Sequence, residues 1–548
     1  MNLKPSNFID KIVADDVANG LEEVATRFPP EPNGFLHIGS AYAINISYSI
    51  AQKYQGRFNL RMDDTNPLKG DVSYVNAIID DFKWLGIDYG DQVLYGSDYF
   101  DQMYEYAVYL IKKGKAFVCD LSPDEIREYR GTLTEPGKNS PYRDRSVEEN
   151  LELFEQMRAG KFAEGEKVLR AKIDMASPNI VMRDPVIYRI IHAEHYRTGN
   201  KWCIYPMYDF AHPIQDYIEG ITHSLCSNEF VNNRELYNWV LDNLDLPNRL
   251  PQQIEFGRLN ISGVVTSKRY LKQLVDSGYL EGWDDPRLPT IQGMRRRGYT
   301  QDAIFTFLNE IGVPKTESTV DVEMLEYFVR QDLLEKSPCL MAVVDPIKVV
   351  ITNMDPNKVE WLEADNNYKT DMGTRKVPFT RELYIEREDF MEDPPKKYNR
   401  LAVGREVRLK HAYYLKCDEV IKDENGEIVE LHCTYDPETL SGSGFTGRKV
   451  KGTIHWVSAK EGLNCTIRHY EPLFLNPPEE DRLLESINPN SRQDFTSVIE
   501  PSLLDFIDQG VTHYQFLRNG FYVLDSRLGS KENLVFNRIV HLKSSYRP

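Results

Sequence analysis

The chain has 548 residues, of which 41% are hydrophobic and 27% charged, and its formal net charge is −18. At roughly 150 residues per domain this length predicts three or four domains, and the composition excludes a chain that is disordered throughout. No stretch reaches the roughly 18 uncharged apolar residues of a membrane-spanning helix, and the acidic charge argues against indiscriminate nucleic-acid binding.

The first hundred residues alternate between strand and helix patterns. A strand candidate at 21–28 leads through a Pro/Gly-rich turn to an apolar, helix-permissive run that begins near His37. Alternating apolar residues at 58–62 predict a second strand. Helical spacing from Val72 predicts a helix that Gly86 ends. This order of elements predicts a parallel sheet with right-handed crossover connections.

The sequence pattern of the remaining chain divides into three successive regions. Residues 101–205 are rich in Pro, Gly, Arg and Tyr, which indicates an inserted domain. Residues 260–335 are mostly helical, and one apolar face lies between a possible N-cap at Thr300 and a stop at Gly312. After Met341 short alternating runs separated by turn signals predict an all-β region of roughly 200 residues, with one or two barrels.

The strongest local signal is the segment Arg27–Ser40, Arg-Phe-Pro-Pro-Glu-Pro-Asn-Gly-Phe-Leu-His-Ile-Gly-Ser. A strand ends there, a rigid loop turns, and a helix begins, whose N-terminal N–H groups can bind an anion. Gly39 permits close approach to the backbone, and the imidazole of His37 can donate to a phosphoryl oxygen as charge develops. An ordinary turn with a capping histidine is the alternative, and the spacing alone leaves both open.

A second signal lies some 230 residues later, at Val265-Thr266-Ser267-Lys268-Arg269. Alone it is a basic triplet of the kind common on protein surfaces. Together the two segments resemble the His-Ile-Gly-His and Lys-Met-Ser-Lys-Ser signatures of class I aminoacyl-tRNA synthetases. Further strings resemble the bacterial-type glutaminyl-tRNA synthetases, from about Asn7 to Arg538: Arg27–Gly34, Asp63–Pro67, Pro136–Arg145, Tyr208–Phe210, Glu219–Cys226 and Gly282–Arg287.

This resemblance implies an α/β fold with a Rossmann-like nucleotide-binding catalytic domain and C-terminal all-β anticodon-binding barrels. The implied boundaries are a first catalytic half at 1–100, an inserted acceptor-end-binding domain at 101–206, a second catalytic half at 207–259, a helical subdomain carrying the second signature at 260–338, and two barrels at 339–548.

The resemblance also implies the activity of a glutamine–tRNA ligase. ATP and L-glutamine would give glutaminyl-adenylate and pyrophosphate, and the 3′-terminal adenosine of tRNA(Gln) would then accept the glutaminyl group. Mg²⁺ would accompany ATP, because no dedicated metal cage is visible: His223 and Cys226 are spaced like ligands but have no second pair nearby. The family implies a monomer. A cytoplasmic location fits the absent signal peptide and seven scattered cysteines.

For ATP, the resemblance implies that His37 stabilises the transition state at the α-phosphate and that Lys268 holds the departing pyrophosphate. The full implied ATP site consists of Glu31, Pro32, Asn33, His37, Ile38, Gly39, Ser40, Ala41, Tyr42, Ala43, Ser227, Arg258, Leu259, Thr266, Ser267 and Lys268.

For glutamine, Arg27 would pair with the α-carboxylate and Asp63 would accept from the α-ammonium. Tyr208, with His212 and Gln253, would read the side-chain amide. Burying an unpaired carboxylate costs several kcal/mol and every ~1.4 kcal/mol is tenfold, so about thousandfold rejection of glutamate needs no editing site.

For tRNA, Leu133 matches a family leucine that wedges into the first base pair of the acceptor stem, and Asn232 stands where relatives have an aspartate that inspects this stem. Arg400, Gln515 and Arg518 match positions that contact anticodon bases.

Several residues depart from the family pattern, and two alternative functions stay open. Ser40 replaces a histidine, Thr266 a methionine and Cys339 an anticodon-region arginine. One alternative is a glutamyl-tRNA synthetase, which would need an added cationic group facing the γ-carboxylate. The other is a tRNA-binding paralogue without catalysis, against which the retained His37 and Lys268 argue.

Overall fold

A computed structural model of the chain describes residues 5–476, 482–544 and 546, and it leaves the side chain of Lys268 undescribed. The chain divides into two compact units: Met1–Ile261 with Leu308–Val320, and Ser262–Phe307 with Asp321–Pro548. Within the described ranges, none of the helices has the length and apolar character needed to cross a membrane.

The first unit begins with the predicted alternation of strands and helices. Its elements are α1 (Phe8–Ala18), β1 (Ala25–Phe28), α2 (Ile38–Lys53), β2 (Arg57–Met62), α3 (Val72–Leu85) and β3 (Leu94–Tyr95). β2 lies between β1 and β3 and is parallel to both, as predicted. The prediction for α3 is also confirmed, because Asp71 caps its start and Gly86 ends it in the left-handed conformation, with φ +69°.

A separate antiparallel sheet follows, where the sequence pattern becomes mixed. Its strands pair in the order β4-β5-β6-β7. The elements of this stretch are α4 (Phe100–Lys112), β4 (Ala116–Cys119), α5 (Pro123–Arg130), α6 (Val147–Arg158), β5 (Val168–Ala171), β6 (Val186–Ile190) and β7 (Ile204–Pro206).

The chain then returns to the parallel strands. The elements are α7 (Tyr208–Ile218), β8 (His223–Ser227), α8 (Arg234–Asn243), β9 (Gln252–Phe256), β10 (Leu259–Ile261) and, later in the chain, β11 (Ser318–Val320). β8 is parallel to β9. β8 lies next to β1, because the N–H of Thr222 donates to the carbonyl of Ala25 at 2.9 Å. The carboxyl ends of β1, β2 and β8 therefore meet at one edge, where ligands of such folds bind.

The second unit opens with helices. They are α9 (Lys268–Asp276), α10 (Ile291–Arg297), α11 (Gln301–Ile311), whose residues from Leu308 onward belong to the first unit, and α12 (Val322–Lys336). The predicted limits of α11 are confirmed, because the hydroxyl of Thr300 accepts from the N–H of Ala303 at 3.3 Å and Gly312 has φ +71°. Ile304 and Phe307 on its apolar face are fully buried.

Two seven-stranded, barrel-like sheets and one two-stranded sheet make up most of the rest of the second unit. The elements are β12 (Cys339–Leu340), β13 (Ala342–Val343), β14 (Pro346–Ile351), β15 (Val359–Asp365), β16 (Thr374–Thr380), β17 (Glu382–Glu386), β18 (Glu406–Leu409), β19 (Tyr414–Lys422), β20 (Ile428–Asp436), β21 (Thr453–Ile454), β22 (Val457–Ser458), β23 (Leu463–Tyr470), β24 (Arg492–Ile499), α13 (Leu503–Asp508), β25 (His513–Phe516), β26 (Gly520–Leu524) and β27 (Val535–His541).

One of the two seven-stranded sheets is inserted in sequence within the other. One has the order β12-β25-β26-β27-β23-β24-β13, and the other, β21-β18-β19-β20-β14-β17-β22, lies wholly between β13 and β23 in sequence. The alternating run at 452–457 forms two short strands rather than one. They are separated at His455 and Trp456, whose side chains are both buried.

Candidate functional site

The turn between β1 and α2 forms a capped helix start. His37 is the N-cap of α2: its Nδ1 accepts from the N–H of Gly39 at 3.1 Å, and the hydroxyl of Ser40 accepts from the N–H of His37 at 3.3 Å. A ring nitrogen that accepts carries no proton, so a neutral His37 carries its proton on Nε2. The capping role and a donor role toward phosphate are therefore compatible in one side chain.

Gly39 leaves room for this ring, since a Cβ there would lie 2.9 Å from Cε1 of His37 and would make the imidazole shift. The preceding loop is tied to the next strand end and to the start of α3. The carbonyl of Pro30 accepts from the N–H of Asp63 at 2.9 Å, and that of Pro32 from Asp71 at 3.2 Å. Glu31, another predicted ATP residue, accepts at 2.5 Å from the side chain of Asn33.

The other predicted ATP residues differ in exposure. Ile38, Ala41 and Tyr42 are buried, so any contact they make with ATP is through the backbone at the start of α2. Ala43 is half-buried in the same helix. Ser227 ends β8 and donates to Glu229 at 2.7 Å.

Two predicted ATP residues follow β9: Arg258 lies in the connection to β10, and Leu259 is the first residue of β10. Arg258 is exposed, whereas Leu259 is buried. Thr266 and Ser267 precede α9 in the second unit, and Lys268 begins that helix with its side chain outside the description. The role of the second signature therefore stays a prediction.

Arg27, the predicted partner of the substrate carboxylate, lies in a buried network of charges. Its Nε donates to Asp216 at 2.9 Å, Nη1 to the carbonyl of Leu225 at 2.8 Å, and Nη2 to Ser224 at 2.7 Å and to Nε2 of His212 at 2.5 Å. The side chain is 1% exposed. A carboxylate that binds Arg27 must therefore share or displace one of these acceptors.

Asp216, which the sequence did not single out, is the centre of this network. It also accepts from Nη2 of Arg61 at 2.9 Å, while Nη1 of Arg61 donates to Glu219 at 2.9 Å. Two buried arginines are thus balanced by two buried carboxylates. A signal for it existed, because Tyr208, His212 and Asp216 recur every four residues on one face of α7.

Tyr208 and His212 form one wall of this region. Their rings stack with centroids 4.9 Å apart. Burial lowers the pKa of His212 to about 3, so its ring is neutral, and burial raises the pKa of Tyr208 well above its ordinary value. Both side chains can therefore read an amide without bringing a charge to it.

Gln253 is oriented by its neighbours. Its Nε2 donates to Glu255 at 2.9 Å and to the carbonyl of Phe230 at 3.3 Å. Both partners only accept, which fixes the nitrogen end of the amide on their side.

Asp63 follows the last residue of β2 and accepts from the hydroxyl of Thr65 at 3.0 Å. Burial raises the pKa of Asp63 to about 6, an effect that Arg61 partly opposes. Asp63 is thus fully ionised, as pairing with the substrate ammonium needs, only above this pH.

We expect kcat/KM for glutamine to fall roughly tenfold per pH unit below about pH 6, because protonated Asp63 no longer carries the negative charge that pairs with the ammonium. His212 does not titrate in this window. Initial rates between about pH 5 and 8 would test this, with Asp63→Asn as the control that has low activity and no such pH dependence. A wild-type profile that stays flat through pH 6 would contradict it.

The predicted tRNA residues lie in both units. In the first, Leu133 and Asn232 are exposed, Leu133 to 79%. In the second, Arg518 donates to both carboxylate oxygens of the buried Asp389 at 2.6 Å. Arg400 lies 3.3 Å from the same carboxylate. The fold thus brings these two arginines together on Asp389, which sequence reasoning missed.

Gln515 and Cys339 pair in register on neighbouring strands of the second unit. Gln515 is 3% exposed, and its Oε1 is buried without a hydrogen-bond partner among the described residues. Burial raises the pKa of the Cys339 thiol to about 11, so this position carries no charge at neutral pH.

Comparison with known proteins assigns the family. Residues 23–335 match the catalytic domain of the class I tRNA synthetases (E and Q), and residues 337–436 and 453–525 match their anti-codon binding domains. The chain therefore belongs to the class I tRNA synthetases for glutamate and glutamine, a family of ATP-using aminoacyl-tRNA ligases.

Several curated proteins are similar to this chain over nearly their full length. A glutamine–tRNA ligase of Clostridium perfringens is 58% identical over 99% of this chain and 98% of its own length. Proteins of the same name from Clostridioides difficile and Vibrio cholerae are 57% and 56% identical over the same shares. A glutamate tRNA ligase structure from Elizabethkingia meningosepticum aligns with a TM-score of 0.42 at 18% identity, over 57% of this chain and 70% of that one, which is too weak to build on.

Proposed function

We propose that this chain is a glutamine–tRNA ligase that activates glutamine with ATP and transfers it to the 3′-terminal adenosine of tRNA(Gln). The observation that carries the choice of amino acid is the charge balance around Asp216. Arg27 and Arg61 are already paired with Asp216 and Glu219, so within the described part of this cluster neither arginine is left over for a second substrate carboxylate.

The selectivity follows from net charge. Zwitterionic glutamine brings no net charge to this buried cluster, whereas glutamate brings one uncompensated carboxylate. That burial costs several kcal/mol, and about 4 kcal/mol corresponds to thousandfold rejection. The neutral Tyr208 and His212 beside the cluster suit an amide.

The chain's own residues would act mainly by positioning and by stabilising charge. Asp63 holds the ammonium and Arg27 the α-carboxylate. The Nε2–H of His37 donates to the α-phosphate oxygens as their charge grows. Lys268 holds the departing pyrophosphate as a point charge.

Mg²⁺ would be carried by ATP rather than by a protein cage. Within the described ranges no three His, Cys, Asp or Glu side chains come together as a metal site. Bound to the phosphate oxygens of ATP, the ion would neutralise phosphate charge.

We further propose a monomer in the cytoplasm. All seven cysteines are free thiols, as expected in a reducing compartment.

Pyrophosphate exchange into ATP tests this function. We expect exchange with glutamine only when tRNA is present, as in the family, and its loss in Lys268→Ala but not in Lys272→Ala, an exposed lysine paired with Asp276 on the same helix. Binding of tRNA without exchange would indicate the non-catalytic alternative, and exchange with glutamate alone would indicate the glutamate enzyme.

A further inference from the structure

A buried arginine, Arg183, holds the loop that presents Leu133. Its Nη1 donates to the carbonyl oxygens of Arg130 and Thr132 at 2.8 Å and of Glu135 at 2.9 Å, and its Nε to that of Ser177 at 2.8 Å. The residue is only 3% exposed. One guanidinium thus ties both ends of residues 131–136, here called the Leu133 loop, to the body of the first unit.

The Leu133 loop is otherwise held mostly by its own atoms. The N–H of Thr132 donates to the carbonyl of Glu135 at 3.2 Å, and the hydroxyl of Thr132 accepts from the N–H of Glu135 at 3.1 Å. Beyond the loop, the N–H of Gly137 donates to the carbonyl of Met175 at 2.8 Å. The N–H of Lys138 also donates to the carbonyl of Tyr129 at 2.7 Å, so backbone bonds close the base of the loop, and Arg183 is the buried side chain that binds the loop's own carbonyls.

The segment that carries Arg183 also holds the second predicted acceptor-stem residue. The side-chain nitrogen of Asn179 donates to the carbonyl of Asn232 and to the carboxylate of Glu235, both at 2.9 Å. Met182 of the same segment is buried. Residues 177–183 are therefore a common support for Leu133 and Asn232.

We propose that Arg183 is a positioning residue for the acceptor end of tRNA, which fixes Leu133 where it can part the first base pair. This inference rests on the proposed function. The contacts favour arginine over lysine, because the guanidinium binds the carbonyl of Ser177 through Nε and the loop carbonyls through Nη1, and a single ammonium nitrogen cannot occupy both positions. Without Arg183, the loop would move when Leu133 contacts a stacked base pair, and the base pair would stay closed.

The test compares two tRNA(Gln) substrates, one with a Watson–Crick first base pair and one with a mismatch there. For Arg183→Gln we expect kcat on the paired tRNA to fall roughly tenfold or more, equivalent to about 1.4 kcal/mol, and kcat on the mismatched tRNA to fall less than about twofold. The KM for glutamine should not change. Leu133→Ala should give the same pattern.

Two further variants make the result interpretable. Arg183→Lys should fold more readily and give a smaller loss with the same dependence on pairing. Arg145→Gln removes a part-buried arginine of the same region that binds Asp120 and not the loop, so it should affect both tRNAs equally.

An equal loss on both tRNAs, or no loss, in the Arg183 variants would overturn the proposal. Failure of the proposed function is distinct, since the wild-type protein would then charge neither tRNA.

Discussion

Replacing Asp216 by asparagine is expected to lower the free energy of unfolding by about 3–5 kcal/mol and to abolish detectable aminoacylation. The fully buried carboxylate accepts from Arg27, Arg61, Ser224 and Tyr237 at 2.7–2.9 Å. Asparagine keeps one acceptor and turns an NH₂ group toward two guanidinium groups. Of the two carboxylates that balance Arg27 and Arg61, only Glu219 would then remain.

The pKa of Asp216 indicates how strongly this site depends on its charge. Burial alone would raise this pKa, but Arg27, His212 and Arg61 hold it well below the ordinary value. Asp216 is therefore ionised at neutral pH, and the stability it contributes is lost only as the pH falls far into the acid range. Urea unfolding and aminoacylation rates measure the two effects of the substitution.

A matched control is available in Tyr237→Phe, which removes one hydrogen bond to the same carboxylate and keeps the charges. It should cost about 1 kcal/mol and leave charging measurable. If Asp216→Asn unfolds and charges tRNA like the wild type, the charge balance described above is not what organises the site.

Substitutions of His37 are expected to separate its two roles. His37→Ala should lose about 1 kcal/mol of stability with the N-cap of α2 and about 10²–10³-fold in kcat with the phosphate donor. His37→Asn offers a side-chain oxygen that can still cap the helix, so it should recover the stability. It should not recover kcat, because the asparagine side chain is shorter than the imidazole and has no donor at the position of Nε2.

Thermal unfolding and single-turnover adenylate formation would measure these effects. Recovery of kcat together with stability in His37→Asn would mean that the histidine only caps the helix, the alternative that the sequence left open.

Elements with strong local signals could be predicted from the sequence. The limits of α3 and α11 follow from a cap, an apolar spacing and a terminal glycine, all within one helix length. The turn before α2 was predicted for the same reason, since the Pro/Gly-rich loop and His37 are local. Such signals need no knowledge of which distant segments pack together.

The buried charge network could not be predicted in this way. Arg27, Arg61 and Ser224 come from three strands, and Asp216 from a helix almost 190 residues after Arg27. Their pairing is set by the order of strands in the sheet, and charged residues in isolated strand patterns are expected at the surface. The four-residue spacing on α7 indicates that Tyr208, His212 and Asp216 share one face of the helix, but it does not indicate which residues they contact.

The β region shows the same limit. Its short strands gave the fold class, but which strands pair depends on contacts across the whole region, and alternation alone does not fix register. The insertion of one sheet within the other, and the meeting of Arg400 and Arg518 at Asp389, therefore could be seen only in the structure.

Aminoacylation of total tRNA, run in parallel with labelled glutamine and labelled glutamate, tests the central claim most directly. The charge balance at Asp216 predicts charging with glutamine and a glutamate rate lower by about a thousandfold. Equal or faster charging with glutamate, or no charging with either amino acid, would contradict the account.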